Sequence, residues 1–264
     1  MCYDVVSATR TLLKYAKHRQ DAPELIAELE RKLQRLTGLV PQFHVSGFDH
    51  PALLVFTNDQ QNEPQLFQWG LIPAWIKTEA EAAKISKQTL NARSEYLWEK
   101  PSFKHAVEQQ RCLIYIDAFY EHHHFSGKVF PYHIAAKDGS PLALAGIWET
   151  WLNPRTGQYL KTISIITTTA NRKMAEIHNN PKLEGPRMPA ILHKSIQQEW
   201  LKPTDQTNTA AYLKSLLVPY PEDELTYYTV RRLKGKDAIG NKPDAEKEYL
   251  FPELQKKNQQ DLFS

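Results

Sequence analysis

The sequence predicts a β-rich α+β fold built as one large domain. The chain has 264 residues, of which 41% are hydrophobic and 11% aromatic, enough to fill one sizeable core. Segments rich in β-forming residues alternate with turn residues through its middle, as in a barrel or a sandwich. Helical patterns are short and flank these segments, which is typical of peripheral helices around mixed sheets.

The first third of the chain combines strands with a helical insert. Residues 2–6 predict a short strand. Leucines then recur at helical spacing over about residues 9–37, with a break near Pro23 and a C-cap at Gly38. Further strands are expected at 43–48, 52–56 and 65–71, with a turn at 49–51, and a polar helix at Glu79–Gln88.

The remaining elements follow the same criteria. We expect strands at residues 111–120, 132–135, 142–150, 160–168 and 225–230. We expect helical segments at 98–108, 170–178, 197–201 and 208–217. The main domain is therefore predicted to span residues 1–233. Residues 234–264 form a polar tail that we expect to be largely mobile, with Tyr249, Leu250 and Phe251 as its anchors.

Composition limits the compartment and the partners. The net charge of +3 permits a nucleic-acid partner without arguing for one. Two cysteines, Cys2 and Cys112, form no disulfide framework and fit a reducing compartment. The chain shows neither a signal-peptide pattern nor an apolar run long enough for a bilayer. We therefore expect a cytoplasmic protein with no membrane partner.

Cys2 is the residue around which the chemistry is organised. If Met1 is removed, Cys2 carries an α-amine with a pKa near ~7.7–8.0 and a thiol with a pKa near ~8.5 on adjacent carbons. Such an aminothiol takes an aldehyde through a Schiff base into a five-membered thiazolidine ring. The alternative is an ordinary small apolar residue at the start of a strand.

Two motifs in the first half predict binding or structural roles. Trp69 and Trp75 flank a Gly-Pro turn, and each could be a core anchor or a stacking platform for unpaired bases. Asn91 could donate to a carbonyl or a cyclic intermediate, and Arg93 could hold a phosphate. The alternative is a helix N-cap at Asn91 followed by surface charges.

Titratable residues cluster at the ends of later segments. Alternation along the strand places Asp117 and Glu121 on one face, where a partly buried carboxylate could act as general acid or base, although an exposed rim carboxylate is the commoner case. The run of residues 122–124 is three histidines, but adjacent strand residues point to opposite faces, so we expect no metal site. His178 is a candidate proton shuttle and Arg187 a second phosphate contact.

Together these motifs resemble the SRAP domain family, named for SOS-response-associated peptidase and described as abasic-site crosslinking proteins. The resemblance extends from Cys2 to about residue 230. It is carried by Met1-Cys2, Trp69-Gly70-Leu71-Ile72-Pro73, Asn91-Ala92-Arg93-Ser94-Glu95, Phe119-Tyr120-Glu121, Ala145-Gly146-Ile147-Trp148-Glu149, Thr167-Thr168-Thr169-Ala170-Asn171, Ile177-His178 and Arg187-Met188-Pro189-Ala190-Ile191-Leu192.

The resemblance implies a specific chemistry for these residues. Cys2 would link to the ring-opened sugar of an abasic site in single-stranded DNA, and Asn91 would orient the linkage. Glu121 and His178 would transfer protons. The implied DNA-binding residues are Trp69, which would pack near the nucleotide, and Arg93 and Arg187, which would hold phosphates. The implied protein is a monomer that needs no cofactor.

Several residues depart from the family pattern. Tyr3 and Asp4 stand where Gly and Arg are usual, which removes one phosphate contact and puts Asp4 close to DNA. The segment 44–48 replaces an Asn-x-x-Pro stretch, and His122 stands where an aromatic residue is usual. Residues 179–186 lengthen the gap before Arg187.

Two other functions remain open from the sequence. Cys2 could serve a cysteine-type peptidase that removes its own leader residue or cuts a protein, although no oxyanion-hole motif is evident. The other is a DNA-binding module without catalysis. Within the crosslinking hypothesis itself, a Schiff base at Cys2 would also permit strand cleavage by β-elimination, which is lyase activity.

Overall fold

The fold is described from a computed structural model, which covers residues 2–7, 12, 13, 16, 21–203, 205 and 209–255. Its strands join one sheet that is mostly antiparallel. In chain order the strands are β1 (Asp4–Ser7), β2 (Val45–Ser46), β3 (Ala52–Thr57), β4 (Gln60–Trp69), β5 (Asn91–Arg93), β6 (Arg111–Phe125), β7 (Lys128–Ala136), β8 (Leu142–Leu152), β9 (Tyr159–Thr169), β10 (Arg187–Pro189) and β11 (Leu225–Thr229).

Five strands close into a barrel, which decides between the barrel and the sandwich that the sequence left open. Strand β3 pairs with β4 and β6, and β8 pairs with β6 and β9. The parallel pair of β4 with β9 completes the ring. Inward-pointing residues such as Ile114, Ile163 and Leu144 are fully buried and form the core. The predicted β-rich α+β class is confirmed.

Tight packing inside the barrel explains a glycine in β8. A Cβ atom added to Gly146 would lie 2.6 Å from Ile114 Cδ1 and 2.9 Å from Cys112 Sγ. Because both neighbours are fully buried in the core, a side chain at this position would force them to shift. Cys112 is therefore a packing residue of the core.

Helices lie around the barrel. They are α1 (Pro23–Thr37), α2 (Glu79–Gln88), α3 (Pro101–Gln109), α4 (Arg172–Ile177), α5 (Lys194–Leu201) and α6 (Ala210–Ser215). Helix α1 begins at Pro23, whose missing N–H is tolerated in a first turn, and ends before Gly38 with φ of 61°. The predicted break and C-cap are confirmed, while residues 8–11, 14, 15 and 17–20 of the predicted helical insert lie outside the described residues.

The segment after residue 233 is more ordered than its polar composition predicts. Ala245 is fully buried and joins Val230 and Leu233 against Tyr120 of β6. Phe251 is also buried and its ring lies 5.0 Å from that of Phe130. The described part, up to residue 255, thus packs on the barrel. Across the described residues, no helix has both the length and the apolar character that a bilayer crossing requires.

Candidate active site

Pairing of β1 with β6 brings the start of the chain beside Glu121. Asp4 lies opposite Tyr120 and Val5 opposite Phe119, so the residues before Asp4 extend towards Glu121. Cys2 is fully buried and belongs to the main core cluster. The site therefore forms because β1 pairs with β6, the longest described strand of the sheet, while β2 flanks the other side of β1.

The Trp69 motif holds the strand that carries Asn91. The Trp69 indole donates to the Leu90 carbonyl at 2.7 Å, and the Thr89 hydroxyl donates to the Leu71 carbonyl at 2.6 Å. Gly70 has φ of 114°, and a Cβ atom there would lie 2.8 Å from a backbone oxygen of α2. Only glycine fits this close crossing of β4 and α2. The motif is thus a brace for β5.

Asn91 contacts Cys2 directly. Its side-chain Nδ2 donates to the Cys2 carbonyl at 2.8 Å, across 89 positions of sequence. Its Oδ1 atom is buried and has no hydrogen-bond partner among the described residues. Buried acceptors are normally satisfied, so this oxygen is an acceptor that a bound molecule could use. The N-cap alternative for Asn91 is excluded, since the residue begins β5 and not a helix.

Glu121 is a buried carboxyl group with a raised pKa. Only 6% of the residue is exposed, and Oε1 accepts from the His122 backbone N–H at 3.0 Å. Burial raises the pKa of Glu121 to about 7, because the charged form loses its hydration. Near neutral pH the group therefore exists in both protonation states and can give or accept a proton.

His178 faces Glu121 as a neutral ring. It follows α4, whose first turn is capped by Asn171 accepting from the Met174 N–H at 2.8 Å. The Arg187 backbone N–H donates to His178 Nδ1 at 3.2 Å, which leaves the ring proton on Nε2. That Nε2 lies 3.9 Å from Glu121 Oε2.

Burial lowers the pKa of His178 to about 4. The ring is therefore uncharged over the physiological range. Proton transfer near neutral pH therefore suits Glu121, whose pKa is raised, better than His178, whose pKa is lowered. The neutral N–H of His178 is suited to orienting the Glu121 carboxyl group.

The Cys2 thiol is strongly protonated in this environment. Burial, followed by the nearby Glu121 carboxylate, raises the pKa of Cys2 far above its ordinary range. The thiol must therefore hand its proton to a neighbouring base before it can attack. Of the two carboxylates that raise this pKa, Glu121 has the larger effect and Asp4 the smaller.

The two arginines predicted to bind phosphates both form ion pairs. Arg187 is buried and makes a bidentate contact with Glu95, with N···O distances of 3.0 and 2.8 Å. Arg93 contacts Glu184 at 2.8 Å, and 80% of the Glu184 side chain is exposed. An exposed pair is easily exchanged for another anion, whereas a buried bidentate pair is not. Arg93 is thus the accessible cation of the two.

A groove of about 300 Å³ lies beside the site and shares Asn91 with it. Its lining also includes Tyr3, which follows Cys2, and the cations Lys87, Arg93 and Lys100. Among the described residues that line it, none is acidic. Lys100 also lies 5.6 Å from the centre of the half-exposed Tyr96 ring, which presents an aromatic face beside the charge. Cations interleaved with aromatic rings suit a single strand of nucleic acid.

The structure differs from two expectations about this surface. Trp69 is fully buried, so its ring offers no face for a base, and the exposed tryptophan of the pair is Trp75. Asp4 is 2% exposed and bonds to His44 and Lys234, at 2.9 and 2.7 Å. This carboxylate is therefore shielded from an approaching strand. Its unfavourable charge is balanced by residues far away in sequence.

Sequence reasoning missed three charged residues of the site. Glu95 holds Arg187, and Lys87 and Lys100 line the groove. Glu95 lies inside the Asn91 motif, but its partner Arg187 is 92 positions away, so no local spacing indicated its role. The lysines carried no signal, because lysines on helices and turns are common. Within the described residues, no cluster of three or more potential metal ligands is present.

Comparisons with known proteins point to one family. The sequence model of the SOS response associated peptidase (SRAP) family matches residues 10–236. Abasic site processing protein YoqW of Bacillus subtilis is 38% identical over 204 residues, which cover 74% of this chain and 85% of that protein. Abasic site processing protein HMCES of Rattus norvegicus is 30% identical over 191 residues, covering 62% of this chain and 50% of that protein.

Solved structures share the fold. A protein from Bacteroides thetaiotaomicron has a TM-score of 0.76 and 31% sequence identity, and the match covers 94% of this chain and all of the other. A protein from Bordetella bronchiseptica has a TM-score of 0.67 at 23% identity, which supports the fold alone.

Proposed function

Because the chain belongs to the SOS response associated peptidase (SRAP) family, we propose that it captures abasic sites in single-stranded DNA covalently through Cys2. Two of the relatives compared above are named abasic site processing proteins, which supports the substrate. The proposal requires removal of Met1, which lies outside the described residues. The proposal also assigns a nucleophile, a proton donor and a path for the DNA strand.

One observation carries the proposal: the hydrogen bond from Asn91 to the Cys2 carbonyl, in a site that also holds Glu121. A polar side chain from β5 anchors the start of the chain at 2.8 Å. An unpaired side-chain oxygen of the same residue remains free for a substrate hydroxyl or a Schiff-base N–H.

The first chemical step joins the Cys2 amine to the sugar. An abasic deoxyribose opens to an aldehyde, and the amine nitrogen forms a bond to its carbon while the carbonyl oxygen gains a proton. The resulting carbinolamine loses water when Glu121, protonated in part near pH 7, gives a proton to the departing hydroxyl. The product is a Schiff base, and water carries away the oxygen.

The second step closes the ring. The Cys2 thiol gives its proton to the Glu121 carboxylate, which the first step has just formed, and the sulfur attacks the Schiff-base carbon. The C=N electron pair moves to nitrogen, which ends as a neutral ring amine. Proton donor and acceptor are the same carboxyl group, so Glu121 returns to its starting state.

The DNA strand would lie in the cationic groove. Phosphates would contact Lys87, Lys100 and Arg93, with Arg93 exchanging Glu184 for a phosphate oxygen. These contacts are to the backbone, so binding would be independent of base sequence and would weaken as salt rises.

The test uses three oligonucleotides of one sequence: an abasic site, an intact base, and a tetrahydrofuran residue that cannot open to an aldehyde. We expect an adduct that survives denaturing electrophoresis with the abasic strand only. Comparable adducts with the tetrahydrofuran strand would contradict aldehyde capture. An abasic duplex measures the preference for single strands, and the proposal expects slower capture there.

Two further activities at the same terminus have separate readouts, one for β-elimination at the Schiff base and one for hydrolysis of the Met1–Cys2 peptide bond. Strand cleavage by β-elimination would appear as a shortened oligonucleotide, and its rate relative to the adduct measures how fast the ring closes. Self-removal of Met1 would appear in the intact mass of the Cys2→Ala variant as a retained methionine. Either result describes chemistry at the same terminus.

A further inference from the structure

We propose that Phe48 and Lys234 form a second nucleotide-binding surface next to Cys2, which holds the nucleotide that flanks the abasic site. This inference rests on the proposed function and extends it to the side of the site opposite the cationic groove. The base would stack on the Phe48 ring, and the adjacent phosphate would contact the Lys234 ammonium. We call these two residues the flanking platform.

The platform is joined directly to the reacting strand. The Phe48 ring lies 4.8 Å from the Tyr3 ring, and the Gly47 N–H donates to the Tyr3 carbonyl at 2.7 Å. Tyr3 follows Cys2 and also lines the groove. A strand that leaves the groove at Cys2 would therefore pass over Tyr3 to Phe48.

Phe48 has the exposure of a binding residue. More than half of its surface, 53%, is open to solvent. The short helical turn Gly47–Asp49 carries it, and Gly47 in turn packs on the buried Trp69 ring. The ring is thus a large apolar surface on a rigid base, which suits base stacking.

Lys234 places a charge over this ring. Its ammonium lies 5.7 Å from the centre of the Phe48 ring and 2.7 Å from Asp4 Oδ2. The two partners differ in exposure, because 2% of the Asp4 side chain is open to solvent and 48% of the Lys234 side chain. An ammonium has three N–H donors, so it can keep its bond to Asp4 and still donate outward to a phosphate.

The segment that carries Lys234 is fixed to the same region. The Asn241 side chain accepts from the backbone N–H groups of Phe43 and His44, at 2.7 and 3.1 Å. His44 in turn bonds to the second Asp4 oxygen at 2.9 Å. Asp4 therefore acts as a positioning residue that fixes the lysine beside the aromatic ring.

The test measures equilibrium binding of an undamaged, fluorescently labelled single strand and capture of the abasic strand. We expect Phe48→Ala to weaken binding roughly 5- to 100-fold, the range of a lost base stack, and Phe48→Trp to restore it. Tyr159→Ala is the matched control, because Tyr159 is an aromatic residue with 74% exposure at the start of β9. It should leave binding unchanged.

Lys234 is substituted together with Asp4, so that the buried Asp4 carboxylate is not left without its partner. The double variant Asp4→Asn with Lys234→Gln keeps a hydrogen-bonding pair, and we expect the logarithmic salt dependence of binding to fall by about one phosphate contact. Lys214→Ala removes an exposed lysine of α6 and serves as the control. Circular dichroism verifies that each variant is folded.

The outcomes separate this inference from the proposed function. If abasic strands are captured normally but Phe48→Ala binds and reacts like the unmodified protein, the flanking platform is wrong and covalent capture stands. If no variant, including the unmodified protein, forms an adduct while Phe48→Ala still weakens binding, the platform stands and the capture chemistry is wrong.

Discussion

The two cysteines are equally buried but have different neighbours. Both Cys2 and Cys112 have no exposed surface, and burial raises the pKa of each thiol. Cys112 sits in the barrel wall, where Gly146 makes room for it. Cys2 sits beside Glu121 and is anchored by Asn91. Burial alone therefore says nothing about reactivity, and the neighbouring groups and the position in the chain make the difference.

The largest expected effect is at the cysteines themselves. Cys2→Ala should abolish the stable adduct, because the thiol that closes the ring is gone. The amine remains, so a Schiff base that borohydride can trap should persist. Cys112→Ala should form the adduct at the normal rate and lose about 1 kcal/mol of unfolding free energy from the small cavity. A stable adduct in Cys2→Ala without borohydride would remove the distinction between the two thiols.

The second largest effect is expected at Glu121, the carboxyl group beside Cys2. Glu121→Gln should slow adduct formation by roughly 100-fold or more, the usual contribution of a general acid or base. Glu149→Gln is the matched control, since Glu149 is buried, has a pKa raised by burial and bonds to His105 at 2.8 Å. Single-turnover rates measure both. Equal slowing of the two variants would indicate a general effect of buried carboxyls.

Glu121 should also limit stability at alkaline pH. Its folded pKa of about 7 lies above the unfolded value, so its contribution is full below the unfolded pKa and is lost as pH rises through 7. Relative to the unmodified protein, Glu121→Gln should be unchanged at pH 4 and more stable at pH 8 by about 1–3 kcal/mol. Urea unfolding at both pH values measures this. A variant less stable at pH 8 would contradict the raised pKa.

The smallest effect is at the anchor of Cys2. Asn91→Ala removes one hydrogen bond to the Cys2 carbonyl and should slow adduct formation about tenfold, with stability little changed. Asn153→Ala is the control, because that asparagine bonds to Glu79 on another part of the surface. If both variants react at the normal rate, the anchor does not orient Cys2.

Local sequence patterns predicted which helices and strands form better than they predicted the residues at which these end. The helix Glu79–Gln88 agrees at both ends, because Thr78 caps it and its charges follow helical spacing. Strand β6 runs five residues beyond its predicted end, to Phe125. The histidines at 122–124 were interpreted as a polar strand end, and pairing with β7 carries the strand through them. Hydrogen bonding between the two strands therefore extends β6 through a polar stretch of sequence.

Long-range ion pairs explain why the surroundings of Arg187 and Asp4 were not predicted from the sequence. Arg187 is held by Glu95 across 92 positions, and Asp4 by Lys234 across 230. No local spacing indicates such pairs, so a free phosphate contact at Arg187 and an exposed Asp4 were reasonable expectations. Trp69 was likewise ambiguous, because a buried brace and a stacking platform use the same residue type. In contrast, motifs pointed to Asn91, Glu121 and His178. Asn91 bonds to the Cys2 carbonyl, Glu121 influences the Cys2 pKa, and His178 faces Glu121.

The most direct test of the account is the chemical state of both thiols in the purified adduct with an abasic strand. We predict an intact mass one water molecule below the sum of protein without Met1 and oligonucleotide, unchanged by cyanoborohydride. After denaturation, iodoacetamide should label Cys112 and leave Cys2 unlabelled, because its sulfur is in the ring. Labelling of both cysteines in the adduct, or attachment at a lysine, would contradict the thiazolidine at Cys2.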